Sequence, residues 1–161
     1  MELNQINIVL EKSLTQNLDW IKAAESKLAL IIPLSTGMIS VLVILLPTSL
    51  SHNWCYIGAF MLSLVLLTGS LICSGFATFP RTKGPKSSLI YFGGIASHSK
   101  DEFTKQTKQL TPELYNEDLS WQVYINAKIA TIKYSWIQKS MIFLFSAMIP
   151  WLLSIYFYYR G

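Results

Sequence analysis

The longest apolar pattern in the chain runs from Leu28 to Pro80, where the sequence has no Lys, Arg, Asp or Glu. A helix needs about 20 apolar residues to cross a bilayer core of about 30 Å. Two stretches within this run have that length, and a third apolar stretch follows nearer the end of the chain. The pattern therefore predicts three membrane-spanning helices, at residues 28–47, 54–75 and 141–159.

The two segments that precede the first and third spans are predicted to be helical as well. In residues 1–27, apolar side chains such as Ile6, Leu10 and Leu14 recur at a spacing of four, which is typical of an amphipathic helix. Thr111 followed by Pro112 is a helix-start signal, and it predicts a helix over residues 112–140 that continues into the third span. We expect these two helices to pack in parallel as a cytosolic stalk.

Residues 76–111 form the least regular part of the chain, because Pro80, Gly84 and Pro85 interrupt any helix there. Ser99 with Glu102 three residues later is a capping-box pattern, which predicts a short helix from residue 100 to residue 109. The stretch 88–92 is compatible with a strand or with a helical turn. The fold class predicted is thus an all-α membrane protein with a short irregular cytosolic segment.

Charge placement predicts how the spans are oriented. Most of the Lys and Arg residues precede the first span or lie between the second and third spans, and only Arg160 follows the third. By the positive-inside rule, the N-terminus and the segment 76–140 face the cytoplasm and the C-terminus lies outside. The formal net charge of +4 reflects this topology, and we expect no nucleic-acid polymer as a partner.

The chain offers little catalytic chemistry. His52 and His98 are predicted on opposite sides of the membrane, and no Cys/His spacing fits a metal site. No ionisable residue lies within a span, which argues against a pump or an active transporter. We therefore expect a protein that is not an enzyme and that needs no cofactor.

A basic cluster after the second span is the main candidate for ligand binding. It consists of Arg81, Lys83 and Lys86. One interpretation is an anchor at anionic lipid headgroups, and the other is a phosphate-binding edge beside the Gly93-Gly94 pair. Four aromatic side chains are suited either to stacking on a base or to core packing: Tyr91, Phe92, Trp121 and Tyr124.

An ordered series of motifs resembles a known family. The motifs are Asp19-Trp20-Ile21-Lys22-Ala23-Ala24-Glu25-Ser26-Lys27, Phe79-Pro80-Arg81, Ser88-Leu89-Ile90-Tyr91-Phe92-Gly93-Gly94-Ile95-Ala96, Leu110-Thr111-Pro112-Glu113 and Asp118-Leu119-Ser120-Trp121-Gln122-Val123-Tyr124-Ile125-Asn126-Ala127. This series is similar to the transmembrane effectors of the bacterial Pycsar anti-phage system. The family usually has Asp where this chain has Glu25, and often a bulkier or polar residue where it has Gly94.

The resemblance implies a function in abortive infection. A partner pyrimidine cyclase would make cyclic CMP or cyclic UMP on infection, and the effector, expected as a homo-oligomer, would then impair the inner membrane. The residues expected to bind the nucleotide are Arg81, Lys83, Lys86, Tyr91, Gly93, Gly94 and Gln122. Two alternatives remain open, namely an effector gated by another cyclic (oligo)nucleotide and a constitutive small membrane anchor or scaffold subunit.

Overall fold

The computed structural model describes residues 3–46, 54–79 and 88–160. Within these ranges the secondary structure consists of α-helices, with no strand. The helices are α1 (Leu3–Ile44), α2 (Trp54–Thr78), α3 (Phe92–Ile95), α4 (Lys100–Lys108) and α5 (Pro112–Arg160). Three of them, α1, α2 and α5, are long and apolar enough to cross a membrane. The all-α class with three apolar helices is therefore confirmed, whereas the cytosolic stalk and the segment boundaries stay predictions.

The helix starts follow the capping signals in the sequence. Ser99 is the N-cap of α4, and its hydroxyl accepts a hydrogen bond from the Glu102 N–H at 3.3 Å. At α5, the Thr111 hydroxyl accepts from the Leu114 N–H at 3.4 Å. Each contact satisfies a backbone donor that the first helical turn leaves without an intrahelical partner. Residues 89–91 form a bend that leads into α3, so the strand alternative for this stretch was wrong.

The chain divides into two compact units, and α1 and α5 each contribute residues to both. Unit 1 comprises Met1–Ala23 and Pro80–Ile132, and unit 2 comprises Ala24–Phe79 and Lys133–Gly161. Two of the three boundaries between the units fall inside long helices, one in α1 and one in α5, and the third follows α2.

In unit 1, the first turns of α1 pack beside the first turns of α5. The Asn116 side-chain amide donates to the Asn7 side-chain oxygen at 2.8 Å, and Asn17 donates to the Val123 carbonyl at 3.1 Å. Because the paired positions rise together along both helices, the two segments run in the same direction. The Tyr115 hydroxyl adds a hydrogen bond of 2.8 Å to a Glu11 carboxylate oxygen, and this bond raises the pKa of Tyr115.

In unit 2, α1, α2 and α5 share a core of fully buried apolar side chains. These include Ala24, Leu28, Leu42, Leu67, Ile137 and Ala147. The outward faces of the same helices carry large exposed apolar residues, such as Leu30, Ile44 and Ile149. A unit that is apolar both inside and outside suits a lipid environment, because in water an apolar surface of this extent would favour aggregation.

Candidate functional site

A cavity of about 1030 Å³ lies within unit 1. Its walls come from the start of the 88–91 bend, from the end of α4 and from the first three turns of α5. Ser88 and Leu89 contribute from the bend, and Gln106, Gln109 and Leu110 from α4 and the residues after it. Ligand sites in proteins are typically concave spaces of about 300–1,000 Å³ with a few polar groups, so this cavity is large enough for a small molecule.

Two side chains on one face of α5 hold the bend in place. The Asp118 carboxylate accepts a hydrogen bond from the Leu89 N–H at 2.9 Å, and the Gln122 side-chain amide donates to the Ser88 hydroxyl at 3.2 Å. Residues four apart on a helix lie on the same face, which is why both reach the same bend. Ser88 and Gln122 are almost fully buried, with 2% and 5% of their surface exposed.

The Ser88 hydroxyl also organises the bend internally. It accepts hydrogen bonds from the Ile90 N–H at 3.2 Å and from the Tyr91 N–H at 2.9 Å. A serine hydroxyl that accepts from backbone groups two and three residues later is a common way to close a turn. The bend is thus fixed both by its own serine and by α5, so the cavity wall is largely preformed.

The wall formed by α5 is aromatic. Trp121 and Tyr124 line the cavity with 48% and 51% of their surface exposed, and their ring centroids lie 6.2 Å apart. Exposed aromatic faces of this kind can stack on a flat, conjugated ligand such as a nucleobase. The sequence suggested two roles for these residues, stacking on a base and core packing. Their exposure argues against core packing.

The charge of the cavity lining is negative among the described residues. Glu117 and Asp118 line the cavity, and none of the described lining residues is Lys or Arg. The Asp118 carboxylate is already hydrogen-bonded to Leu89, which leaves Glu117 as the exposed acceptor. A carboxylate can accept hydrogen bonds from a ribose hydroxyl or from an exocyclic amine of a base.

The residues predicted to bind nucleotide fall into three groups. Arg81, Lys83 and Lys86 lie outside the described residues, although in the sequence Lys86 precedes Ser88 by only two positions. Gln122 holds the cavity wall through Ser88 without lining the cavity itself. The remaining three residues, Tyr91, Gly93 and Gly94, lie in or next to α3.

Around α3, Tyr91 and Gly93 both take part in local packing. The Tyr91 ring lies 4.6 Å from the Phe92 ring, and a Cβ atom added to Gly93 would lie 2.5 Å from Tyr91 Cε1. Gly93 therefore leaves room for the tyrosine ring. Gly94 is buried, and its carbonyl accepts from the Ser97 hydroxyl at 2.7 Å. None of these three lines the cavity, and their role in nucleotide binding stays a prediction.

The site also contains three residues that were not predicted from the sequence: Ser88, Glu117 and Asp118. The available signal was the spacing of Asp118 and Gln122, which puts two polar groups on one face of α5 beside Trp121. That spacing indicates a polar face but does not say what the face contacts. Only the fold shows that the bend at Ser88 packs there.

A second polar cluster lies in unit 2 and joins all three apolar helices. Ser35 of α1, Ser70 and Ser74 of α2 and Ser140 of α5 are fully buried, and we call this cluster the serine seam. The hydroxyl oxygens of Ser70 and Ser140 are 3.0 Å apart, those of Ser74 and Ser140 2.8 Å, and those of Ser35 and Ser70 3.3 Å. The Ser140 hydroxyl also bonds the Ser70 carbonyl at 2.9 Å.

Comparison with known proteins agrees with the helical membrane architecture. A family model described as the Pycsar effector protein domain, PycTM, matches residues 9–160. The Pycsar effector protein PtPycTM of Propioniciclava tarda is 25% identical, over 77% of this chain and 66% of its own length. The effector SaPycTM of Staphylococcus aureus is 34% identical, over 52% of each chain.

The matched regions thus span 66% and 52% of these two relatives, and no solved structure matches the chain. The family model, in contrast, covers almost every residue from the first helix to the end of the last. With its three apolar helices, the chain is a membrane protein and belongs to the PycTM family of Pycsar effector proteins.

Proposed function

We propose that this protein is a membrane effector of bacterial anti-phage defence, activated by cyclic UMP or cyclic CMP from a partner pyrimidine cyclase. The observation that carries the proposal is the family match over residues 9–160. The cavity in unit 1 supports it, because an aromatic wall with nearby hydrogen-bonding groups suits a nucleotide. The protein itself would catalyse no reaction.

The proposed ligand site combines the cavity with residues suggested by the sequence. Trp121 would stack on the pyrimidine with Tyr124 as the wall beside it, and Glu117 would accept from the free 2′-hydroxyl or from the base. Arg81, Lys83 and Lys86 would add positive charge near the start of the bend. Gln122 and Asp118 would act indirectly, by holding Ser88 and Leu89 in position.

The proposed action on the membrane is a rearrangement of helices. A ligand can shift a conformational equilibrium only if it binds one state more tightly than the other. We propose that nucleotide binding, or oligomerisation driven by it, rotates the paired segments of α1 and α5 and separates the apolar helices at the serine seam. The protein would lie in the inner membrane as a homo-oligomer, with its N-terminus in the cytoplasm and its C-terminus outside.

A flux assay in proteoliposomes tests this function. Vesicles that contain the full chain and a trapped fluorescent dye would be mixed with cyclic UMP, cyclic CMP or a cyclic oligoadenylate. We expect dye release with one of the pyrimidine nucleotides and a background rate with protein-free vesicles. Equal release with and without every nucleotide would contradict the proposal.

The same assay separates the alternatives. Release with the cyclic oligoadenylate alone would assign the protein to a different second messenger. A constitutive anchor would give no release and would be harmless when co-expressed with a pyrimidine cyclase in bacteria, whereas an effector would stop growth. Replacing Trp121 with Ala should abolish the nucleotide-dependent release but leave insertion into the membrane unchanged.

A further inference from the structure

The cavity-lining face of α5 extends beyond the cavity to a lysine. Glu117, Trp121 and Tyr124 line the cavity at spacings of four and three residues, and Lys128 follows four residues after Tyr124. Residues three and four apart are neighbours on one helix face. Lys128 therefore lies on the same face of α5 as the aromatic wall, one turn further along the helix.

The side chain of Lys128 is directed back toward that wall. Its Nζ lies 4.5 Å from the centroid of the Tyr124 ring, over the ring face. Helical side chains lean toward the N-terminal end of their helix, so a long lysine naturally reaches the residue one turn earlier. Lys128 is also exposed, and its ammonium group is therefore accessible to a bound ligand.

The side chain of Lys128 comes within reach of a mononucleotide on Trp121. The two residues are seven positions apart, which corresponds to about 10 Å along the helix axis. The base and the phosphate of a cyclic mononucleotide are closer together than this, and the lysine shortens the gap because its side chain leans back over Tyr124. A ligand whose base stacks on Trp121 would then place its phosphate next to the Lys128 ammonium group.

The charges of the lining favour this orientation of the ligand. The described lining holds two carboxylates, Glu117 and Asp118, and none of its residues is Lys or Arg. A cyclic phosphodiester carries a negative charge and would be repelled by these carboxylates, whereas charge-assisted hydrogen bonds to a lysine would stabilise it. Among the described residues, the base and ribose therefore suit the acidic part of the site, and the phosphate suits the end at Lys128.

We propose that Lys128 is a phosphate-binding residue of this site and that it fixes the orientation of a cyclic mononucleotide stacked on Trp121. This inference rests on the proposed function, because it needs a nucleotide in the cavity. It adds a residue that the family motifs do not point to. It also predicts that the negative charge of the ligand is recognised by α5 itself.

The test is calorimetric titration of the full chain in a neutral detergent with cyclic UMP and with cyclic CMP. Lys128→Gln should weaken binding of the nucleotide about 10- to 100-fold, as expected for loss of a hydrogen bond between charged groups. Lys128→Arg keeps the charge and should bind more tightly than Lys128→Gln, because a guanidinium group also binds phosphate and stacks on aromatic rings. The affinity of Lys128→Gln should also depend less on salt concentration than that of the original protein.

Lys108→Gln is the matched control. Lys108 is exposed in the same unit and is not among the residues that line the cavity, and it lies two residues from Gln106, so the two project from opposite sides of α4. It should bind nucleotide like the original protein. If Lys128→Gln and Lys108→Gln bind equally well, the phosphate-binding role of Lys128 is overturned, although the proposed function stands. If the original protein binds neither nucleotide, both proposals fail.

Discussion

The two units of this protein use polar side chains in opposite ways. In unit 1, side chains such as Asp118 and Gln122 bind a turn to a helix next to a cavity, and charged groups lie on the surface. In unit 2, the serine seam places polar groups at the centre of the helix packing, and many large apolar side chains are exposed. The same two helices, α1 and α5, take part in both arrangements.

The difference matches the way in which helices pack in water and in lipid. In water, exposed polar groups are hydrated, and burial of apolar surface drives packing. In lipid, apolar surfaces gain nothing by leaving the solvent, so helices associate through close packing of small residues and through hydrogen bonds between helices. The four serines that meet across three helices are small enough for close packing, and their hydroxyl groups form hydrogen bonds between the helices. The comparison predicts different responses to substitution in the two units.

The largest effect is expected from Ser140→Leu. Ser140 is fully buried within hydrogen-bonding distance of Ser70 and Ser74, so a leucine would both overpack the seam and remove its hydrogen bonds. We expect a loss of about 3 kcal/mol or more in the free energy of unfolding. Unfolding of the detergent-solubilised protein followed by circular dichroism measures this. Ser146→Leu, at an exposed position of the same helix, should change it little. Equal stability of the two variants would show that the seam is not tightly packed.

The second-largest effect is expected from Asp118→Ala in unit 1. It leaves the Leu89 N–H without its acceptor, and we expect a cost of about 1–2 kcal/mol together with weaker nucleotide binding. Faster hydrogen exchange at the Leu89 amide would report the loss directly. Asp118→Asn keeps a side-chain oxygen that can accept from the same N–H, so exchange should rise less. If both variants exchange Leu89 at the original rate, Asp118 does not hold the bend.

A smaller effect is expected for the coupling between Ser70 and Ser140. Replacing both by Ala should be less costly than the sum of the single replacements by about 0.6 kcal/mol, the average for hydrogen bonds between membrane helices, and by about 1.7 kcal/mol at most. The control pair is Ser63 and Ser140. Ser63 bonds the Ala59 carbonyl of its own helix, so this pair should be additive. Additivity for Ser70 and Ser140 too would mean that their contact contributes nothing measurable.

The smallest effect concerns Tyr115 and the pH dependence of unit 1. Its hydrogen bond to Glu11, together with burial, raises the pKa of Tyr115 above the ordinary value of 10.0. A raised pKa means that the folded state holds the proton more tightly, so the stabilisation is complete below pH 10 and disappears as the pH rises through the folded pKa. Tyr115→Phe should remove this alkaline loss and change stability near neutral pH only slightly. Stability measured from pH 8 to 12 checks this, and an unchanged alkaline profile in Tyr115→Phe would exclude Tyr115 as its source.

Much of the fold could be predicted from local patterns. The three apolar helices follow from the length of the uncharged stretches, and the start of α4 follows from the spacing of Ser99 and Glu102. The candidate site could be predicted only in part. Trp121 and Tyr124 stood out as aromatic residues, but their position at a cavity depends on how the bend at Ser88 packs against α5.

The small residues of α2 show the same limit. Their spacing indicates a face that allows close helix packing, and the spacing alone fits packing within one chain and packing between chains equally well. The structure places Ser70 and Ser74 against Ser140 of the same chain, so these two residues serve packing within the chain.

The sequence by itself therefore determined the helical class, the three apolar helices and the family, because these depend on hydrophobic length, capping signals and the order of motifs along the chain. Tertiary structure alone decided which distant residues meet: Asp118 with Leu89, Ser140 with Ser70, and Asn116 with Asn7. The physical reason is that helix periodicity fixes which side chains share a face, whereas the partner of each face is chosen by packing between elements far apart in the chain.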